Sequence, residues 1–317
     1  MNGMRRPWQK TLRTVEMDAA SVDRCDFERR QHRPLRQATF IRLLQGPNLV
    51  SLDAPVVAVS WALLLSFVYL QPRPEKVAFA SEWWPSLVAL FGAVWLIYLT
   101  DRLLDCRRLN FDQEVPARHR FTQRWGIPLW RTWGAVLLLT GVVTLFCLER
   151  RLWVGGAALL GGVLLYGWTV HASARLRRGV PKEFIVAIIF AAGVGLPTLT
   201  VVRNRSVFLS LLSIACLFAL NCLLVSRSQR HSDRQQQIGS AVLRFPWLAS
   251  LLPWFACLVV ILVSGLWAYE AVPGPVGLAL VVSGVGLVGL SFCTWSVGAL
   301  LADYVLLSPI LVMVLFS

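Results

Sequence analysis

The sequence predicts an all-α fold, a polytopic membrane helical bundle of about nine transmembrane helices. Three observations predict it. Hydrophobic residues make up 56% of the 317 and charged residues only 15%, against roughly 45–50% and about 25% in a soluble domain. The charges cluster between apolar runs of about 20 residues, the length a helix needs to cross the hydrocarbon core. Lysine and arginine also alternate in abundance along the chain. Residues 1–53 carry 10, and the connections after the second, fourth and sixth runs, counted with Arg102, Arg131 and Lys182 at the flanking run ends, carry 7, 4 and 4; the three intervening connections carry 2 each.

The elements follow in order. Residues 1–38 are polar and basic without periodicity and are expected to be a disordered basic cytoplasmic tail; residues 39–317 form the membrane domain. No apolar region of signal-peptide type follows the start. The stretch LRQATFIRLLQGPNLV sets Leu35, Phe40, Leu43 and Leu44 among Arg36 and Arg42. It reads either as an amphipathic helix lying in the interface or as a plain lead-in to the first span. Nine runs then fit a membrane crossing: 54–71, 84–104, 128–148, 152–172, 181–201, 206–226, 246–268, 274–292 and 298–316. Backbone groups in lipid must be satisfied within the segment, so the runs are helices. Trp83, Trp84, Trp130, Trp153 and Trp247 fall near proposed span ends, as an interfacial belt requires. In the fourth run, Ala157 with Gly161 and Ala158 with Gly162 form small-xxx-small pairs expected to let helices pack closely. Gly193, Gly195 and Pro197 in the fifth run either pack or bend the helix.

The basic alternation places the N-terminus in the cytoplasm, and nine spans place the C-terminus on the other side. The expected location is a bacterial inner membrane. A formal charge of +14 then needs no nucleic acid. A basic cytoplasmic face attracts anionic lipid and anionic substrates instead. The seven cysteines form no CxxC pair, and the four histidines have no ligand spacing, which excludes a disulfide framework or a zinc site.

The second run ends in IYLTDRLLDCRR. Asp101 and Asp105 are four residues apart and share one helix face, with Cβ atoms roughly 5–6 Å apart. Two carboxylates that close must be solvated, paired or bridged by a cation. Mg²⁺ is commonly held by one or two carboxylates plus substrate phosphates. Arg102, Arg107 and Arg108 could neutralise the acids or grip phosphate oxygens. From spacing alone, a solvated helix end with local ion pairs is the favoured explanation of the pair. The surroundings add two further polar patches on the same expected face, after the fourth and sixth runs.

Taken together these segments resemble the UbiA superfamily of intramembrane prenyltransferases. IYLTDRLLD overlays the first aspartate motif of that family, with Asp101 and Asp105 as its last two acids. PARHRF resembles the basic element that follows and contains Arg118 and Arg120. Tyr166 and PKEFIVAIIFAAGVGLP resemble the family's fourth-helix end and fifth helix. HSDRQQQIG resembles the tail of the second aspartate motif, with Asp233 as its acid. Ile97, Tyr98 and Asn221 stand where the family carries Asn and Asp, and Ser226, Ser228 and Gln229 stand where further acids are expected.

The resemblance implies a transferase that moves an isoprenyl group from its diphosphate to a lipophilic, membrane-soluble acceptor, with Mg²⁺ as cofactor. It implies that Asp101, Asp105 and Asp233 are catalytic and hold the metal. Arg102, Arg118, Arg120 and Lys182 would bind the diphosphate, and Tyr166 would line the pocket and face the allylic cation. Lys182 and Glu183 read equally as an interfacial ion pair. Asp303, an ionisable group in the last run, is a functional candidate by position alone. His119 and His231 receive no role. Two other functions stand beside the enzyme. One is a non-catalytic protein of the same fold that binds a lipid or a partner. The other is a small-molecule transporter, which the near absence of charge in the middle of the spans disfavours.

Overall fold

A computed structural model describes residues 45–70, 79–172, 182–236, 238–293 and 298–316; the side chains of 79–83, 170–172, 299 and 300 lie outside that description. The expected tail of 1–38 and most of the candidate interfacial helix lie outside the described residues. Residues 1–46 and 47–317 separate as two units, and the second carries everything below.

From residue 53 onward, thirteen helices follow in order among the described residues. They are α1 (Asp53–Leu70), α2 (Phe79–Asp105), α3 (Ala117–Arg124), α4 (Gly126–Cys147), α5 (Arg150–Ala172), α6 (Lys182–Leu199) and α7 (Arg205–Ser228). After these come α8 (Arg230–Gln235), α9 (Ala241–Arg244), α10 (Pro246–Ala268), α11 (Gly274–Phe292), α12 (Gly298–Val305) and α13 (Ser308–Phe316). Eight of them are long and apolar enough to cross a membrane: α1, α2, α4, α5, α6, α7, α10 and α11. The chain is an all-α integral membrane protein.

The spans differ in how much they bury. α1 and α7 are the most enclosed, while the apolar window of α5 has no buried residue. α1 packs against α2, α6, α11, α12 and α13, and α7 against α6, α10, α11 and α12. Their shared core centres on Trp61, Leu65, Ile214, Leu217, Leu223 and Leu280. A second apolar cluster on α2, made of Trp95, Leu96, Leu99 and Leu103, packs against Leu129 and Trp133 of α4. Trp133 Nε1 donates to Thr100 Oγ1 at 2.8 Å across that contact. α4 and α5 are rim helices: α4 packs against α2, and α5 against α6. Their outward leucines, including Leu138, Leu164 and Leu165, are exposed as a lipid-facing surface requires.

α6 meets α7 closely at Gly195, since a Cβ there would meet the Leu211 side chain, with Cδ1 at 2.6 Å. The small-residue pairs of α5 do not pack inside the chain. Nothing lies within 4 Å of a Cβ built on Gly161 or Gly162; only Gly155 meets a neighbour, Leu196. The spacing was right for close approach, but α5 lies at the rim and turns that face outward. Trp84, Trp153 and Trp247 are exposed near span ends; the side chain of Trp83 lies outside the description.

The last predicted run, 298–316, is two short helices. Pro309 supplies no N–H to the preceding turn and cannot continue a helix through Leu306 and Leu307. The carbonyls left open are caught by other helices. Trp61 Nε1 donates to Leu306 O at 2.9 Å, and Ser283 Oγ to Val305 O at 3.0 Å. Ser308 Oγ lies 2.8 Å from Ala279 O and 2.7 Å from Ser283 Oγ and donates its one proton to one or the other. Irregular backbone at membrane depth persists only when buried and bonded in this way.

Candidate functional site

The polar segments after α2 and α7 are joined to each other. Asn110 N donates to Gln236 Oε1 at 2.9 Å, and Gln236 Nε2 donates back to Asn110 O at 2.8 Å. Ser232 Oγ donates to Glu114 O at 3.0 Å. Arg118 Nη2 donates to Gln229 Oε1 at 3.0 Å. His231 Nε2 lies 3.9 Å from Glu114 Oε2. These contacts bring α3 and α8, and so Arg118 and Asp233, to one end of the bundle.

Arg118 is the shared neighbour there. It acts electrostatically on Arg102, His119, Asp233 and Asp303. Its Nη2 is engaged by Gln229, while its Nε is enclosed and meets no partner. Lys182 and Glu183, at the start of α6, act on Asp233 as well. Asp233 is 7% exposed. Burial pushes its carboxyl up to about 6, against the pull of Lys182 and Arg118.

Asp101 and Asp105 end α2 within electrostatic reach of Tyr166 on α5. Arg120 is exposed on α3. Arg102 points inward and is 5% exposed. Its Nη1 donates to the carbonyls of Asn48 and Leu49 just before α1. One nitrogen of that guanidinium is therefore committed to holding the α1 entry. Burial is also the first cause that pushes the imidazole of His119 down to about 3, with Arg118 and Arg102 adding to it. His119 is neutral at physiological pH, and its Nδ1 is enclosed without a partner. The Cys106 thiol donates to His119 O at 3.4 Å, and burial pushes it up to about 11.

Glu183 is 3% exposed and turned into the bundle. Its Oε1 accepts from Ser226 Oγ at 2.8 Å and from Ala241 N at 3.0 Å, while Oε2 is enclosed and unpartnered. It ties the start of α6 to the end of α7 and to α9.

Sequence reasoning assigned no role to Asp53, the first residue of α1. It lies with Asp101 and Asp303 around Arg102 and Tyr98. A lone acid at a helix start reads as a favourable dipole partner, so nothing local marked it. Asp303, flagged only as a charge in an apolar run, receives a hydrogen bond from Asn221 Nδ2 at 2.8 Å. Its carboxyl also lies within electrostatic reach of that of Asp53.

Whether this end suits a hard cation can be tested on its donors. Among the described residues, no three Asp, Glu, His or Cys side chains come close enough together to hold a metal ion by themselves. The acids stand instead in ones and twos: Asp101 with Asp105, Asp53 with Asp303, and Asp233 near Glu183. Oxygen donors in ones and twos, with enclosed acceptors on Asp53, Asn221 and Glu183 that no donor reaches, suit Mg²⁺, which completes its shell with water and substrate phosphate.

No family model matches the chain. No curated protein matches it either. Among solved structures, the chain is similar to one of digeranylgeranylglyceryl phosphate synthase in membranes, at 11% identity and a TM-score of 0.49, covering 88% of this chain and 96% of that one.

Proposed function

We propose that the protein is a UbiA-like membrane transferase that moves an isoprenyl group from its diphosphate to a lipophilic acceptor. The observation that carries this reading is the joining of the segments after α2 and α7 through Asn110–Gln236, Ser232–Glu114 and Arg118–Gln229. It supports one shared site at the end of an apolar bundle, where the sequence motifs resemble those of that family.

In this reading Arg118, Arg120 and Lys182 bind diphosphate oxygens through charge-assisted hydrogen bonds. Asp101 with Asp105, and Asp233 from the other segment, would hold Mg²⁺. Bound Mg²⁺ would supply charge neutralisation and polarise the leaving diphosphate. The prenyl chain lies among apolar helices, which exclude water from the reacting carbon. The allylic C–O bond breaks with its electron pair leaving on diphosphate. The acceptor then forms a bond to the allylic carbon and loses a proton. The ring of Tyr166 stabilises the developing cation. Incubating the purified full chain with allylic diphosphates of several lengths, Mg²⁺ and a membrane extract as acceptor source tests the reading. Diphosphate release dependent on both Mg²⁺ and acceptor is expected; its absence at every chain length overturns the reading.

A second reading is a non-catalytic protein of the same layout that binds a lipid diphosphate or a partner. Tyr98 and Asn221 in place of acids, and no group of three acids among the described residues, favour it. In that case Mg²⁺ weakens diphosphate binding by masking phosphate charge, where the enzyme reading requires it to strengthen binding.

A further inference from the structure

We propose that Phe190 of α6, held edge-on between Tyr98 of α2 and Phe218 of α7, is the floor of the isoprenyl-chain groove and limits the chain to geranyl length. The inference deepens the transferase reading and rests on it for the identity of the ligand.

Rings from four helices meet inside the bundle. The centroids of Tyr98 and Phe190 lie 6.2 Å apart, those of Phe190 and Phe218 4.7 Å apart, and those of Phe218 and Trp61 on α1 6.4 Å apart, each pair edge to face. Trp61 and Phe218 are buried, whereas Tyr98 and Phe190 are only partly so. The partly buried pair stands between α2 and α6. Both of these helices pack on α1 but bear little on each other, so the two rings bridge a space that the backbones leave open.

The helix rise gives the depth of that bridge. Tyr98 lies three residues inward from Asp101, about 4.5 Å, and Phe190 eight residues inward from Lys182, about 12 Å. Side chains lean toward the N-terminus of their own helix. α2 runs toward the polar end and α6 away from it, so the two rings lean toward each other and meet roughly 8–10 Å inward. Farther in, the space closes. A Cβ built on Gly193 lies 3.8 Å from Leu90 Cδ1. Gly193 and Leu90 are each eleven residues inward, from Lys182 and Asp101 respectively, which is about 16 Å.

The space is continuous with the candidate site, since Tyr98 lies within electrostatic reach of Asp101. A chain whose diphosphate is held at the polar end therefore runs into Phe190. Extended backbone covers about 3.3–3.6 Å in three bonds, so the four bonds of an isoprene unit cover about 4.5–5 Å. Two units reach the rings. A third has to displace Phe190, which Phe218 and Trp61 back from behind. Without the Phe190 ring the space extends to Leu90 and Gly193, deep enough for a third unit and too short for a fourth.

The test is calorimetric binding of geranyl, farnesyl and geranylgeranyl thiolodiphosphates, which keep the diphosphate but resist cleavage. The full chain is studied in lipid nanodiscs at one fixed Mg²⁺ concentration, with empty nanodiscs as the blank. Wild type is expected to bind the geranyl analogue roughly tenfold or more tighter than the farnesyl one, because extra carbons are forced into a packed interior. Phe190→Ala is expected to bring farnesyl level with geranyl and to leave geranylgeranyl weak. Phe190→Leu removes the ring, keeps most of the packing and is expected to shift the same ratio part of the way. It replaces Phe190→Ala if thermal melts show that variant unfolded; if both unfold, the wild-type order of affinities alone decides. Equal affinity for all three lengths in wild type means that the tail escapes sideways into lipid and overturns the proposal. An unchanged ratio in a folded Phe190 variant overturns it, as does a wild type that binds no length. The readout is binding, so it stands apart from the transferase assay. Length discrimination without diphosphate release keeps the groove and loses the reaction; release without length discrimination keeps the reaction and loses the groove.

Discussion

Glu183 Oε1 lies 2.8 Å from Ser226 Oγ and accepts its hydrogen bond inside the bundle, with the Ala241 N–H as a second donor to the same oxygen. One carboxylate therefore holds three helices together at the end that carries the site. Glu183→Leu leaves the Ser226 hydroxyl and the Ala241 N–H unpaired, at about 1–3 kcal/mol for each buried group. The apparent melting temperature in detergent is expected to fall clearly. Glu183→Gln keeps an acceptor at Oε1 and is expected to fall much less.

Gly195 and Gly161 form a matched pair of tests for the packing. Gly195→Ala drives a methyl into Leu211 and is expected to cost about 1–3 kcal/mol through overpacking. Gly161→Ala meets nothing within 4 Å and is expected to leave the melting temperature unchanged or slightly higher, as alanine favours helix. Equal losses in both would contradict the arrangement of α5 and α6.

Two buried groups give opposite pH dependences. The carboxyl of Asp233, raised to about 6 by burial, binds a proton more tightly when folded than when unfolded. Its contribution to stability is lost as pH rises from about 4 to about 6. The imidazole of His119, lowered to about 3, is held neutral when folded. Its contribution is lost as pH falls from about 6.5 toward 3. Asp233→Asn is expected to remove the loss on raising pH, and His119→Gln the loss on lowering it. Melting temperatures of the three proteins between pH 4 and 7 measure both, and slopes that change in the same direction would refute the assignment.

Arg118 meets both polar segments and has an enclosed Nε without a partner, whereas Arg120 faces solvent. In the transferase reading, Arg118→Gln is expected to raise the KM for the allylic diphosphate roughly tenfold, the scale of a charge-assisted hydrogen bond. Arg120→Gln is expected to change KM less. Steady-state kinetics at fixed Mg²⁺ separate the two.

The sidedness expected from the basic residues has its own test. A reporter fused after residue 115 or 235 is expected in the cytoplasm, and one fused after residue 77 outside it. A reporter after 235 on the outer side would reverse the assignment.

The bundle was legible because its signal is a sum over many residues. Twenty apolar positions in a row fix a span whatever their neighbours, and eight of the nine predicted runs fall on long helices. The break at Leu306 and Leu307 was legible only in Pro309, since the carbonyl partners come from Ser283 and Trp61, far away in sequence. The candidate site divides in the same way. Asp101 and Asp105 announced themselves by local spacing. Asp53 could not, because its meaning depends on Asp303, and no periodicity links a residue at the start of α1 to one in α12. The small pairs of α5 show the opposite failure: a local pattern gave close packing, and the position of the helix in the bundle withheld the partner.

Trp61 Nε1 bonds to Leu306 O across 245 residues of chain, so the first long helix receives one of its partners only when the last two helices arrive. During synthesis, α1 enters the bilayer with an indole N–H unpaired and with Asp53 far from its later neighbour. A polar group in lipid without a partner is costly, so the segment that carries Leu306 stabilises α1 when it docks. The order of translation thereby acts as a timer: Asp53 of α1 meets Asp303 only after α12 has been made. A ribosome stalled before α12 would leave the earlier apolar spans inserted and the Trp61 indole without its carbonyl partner.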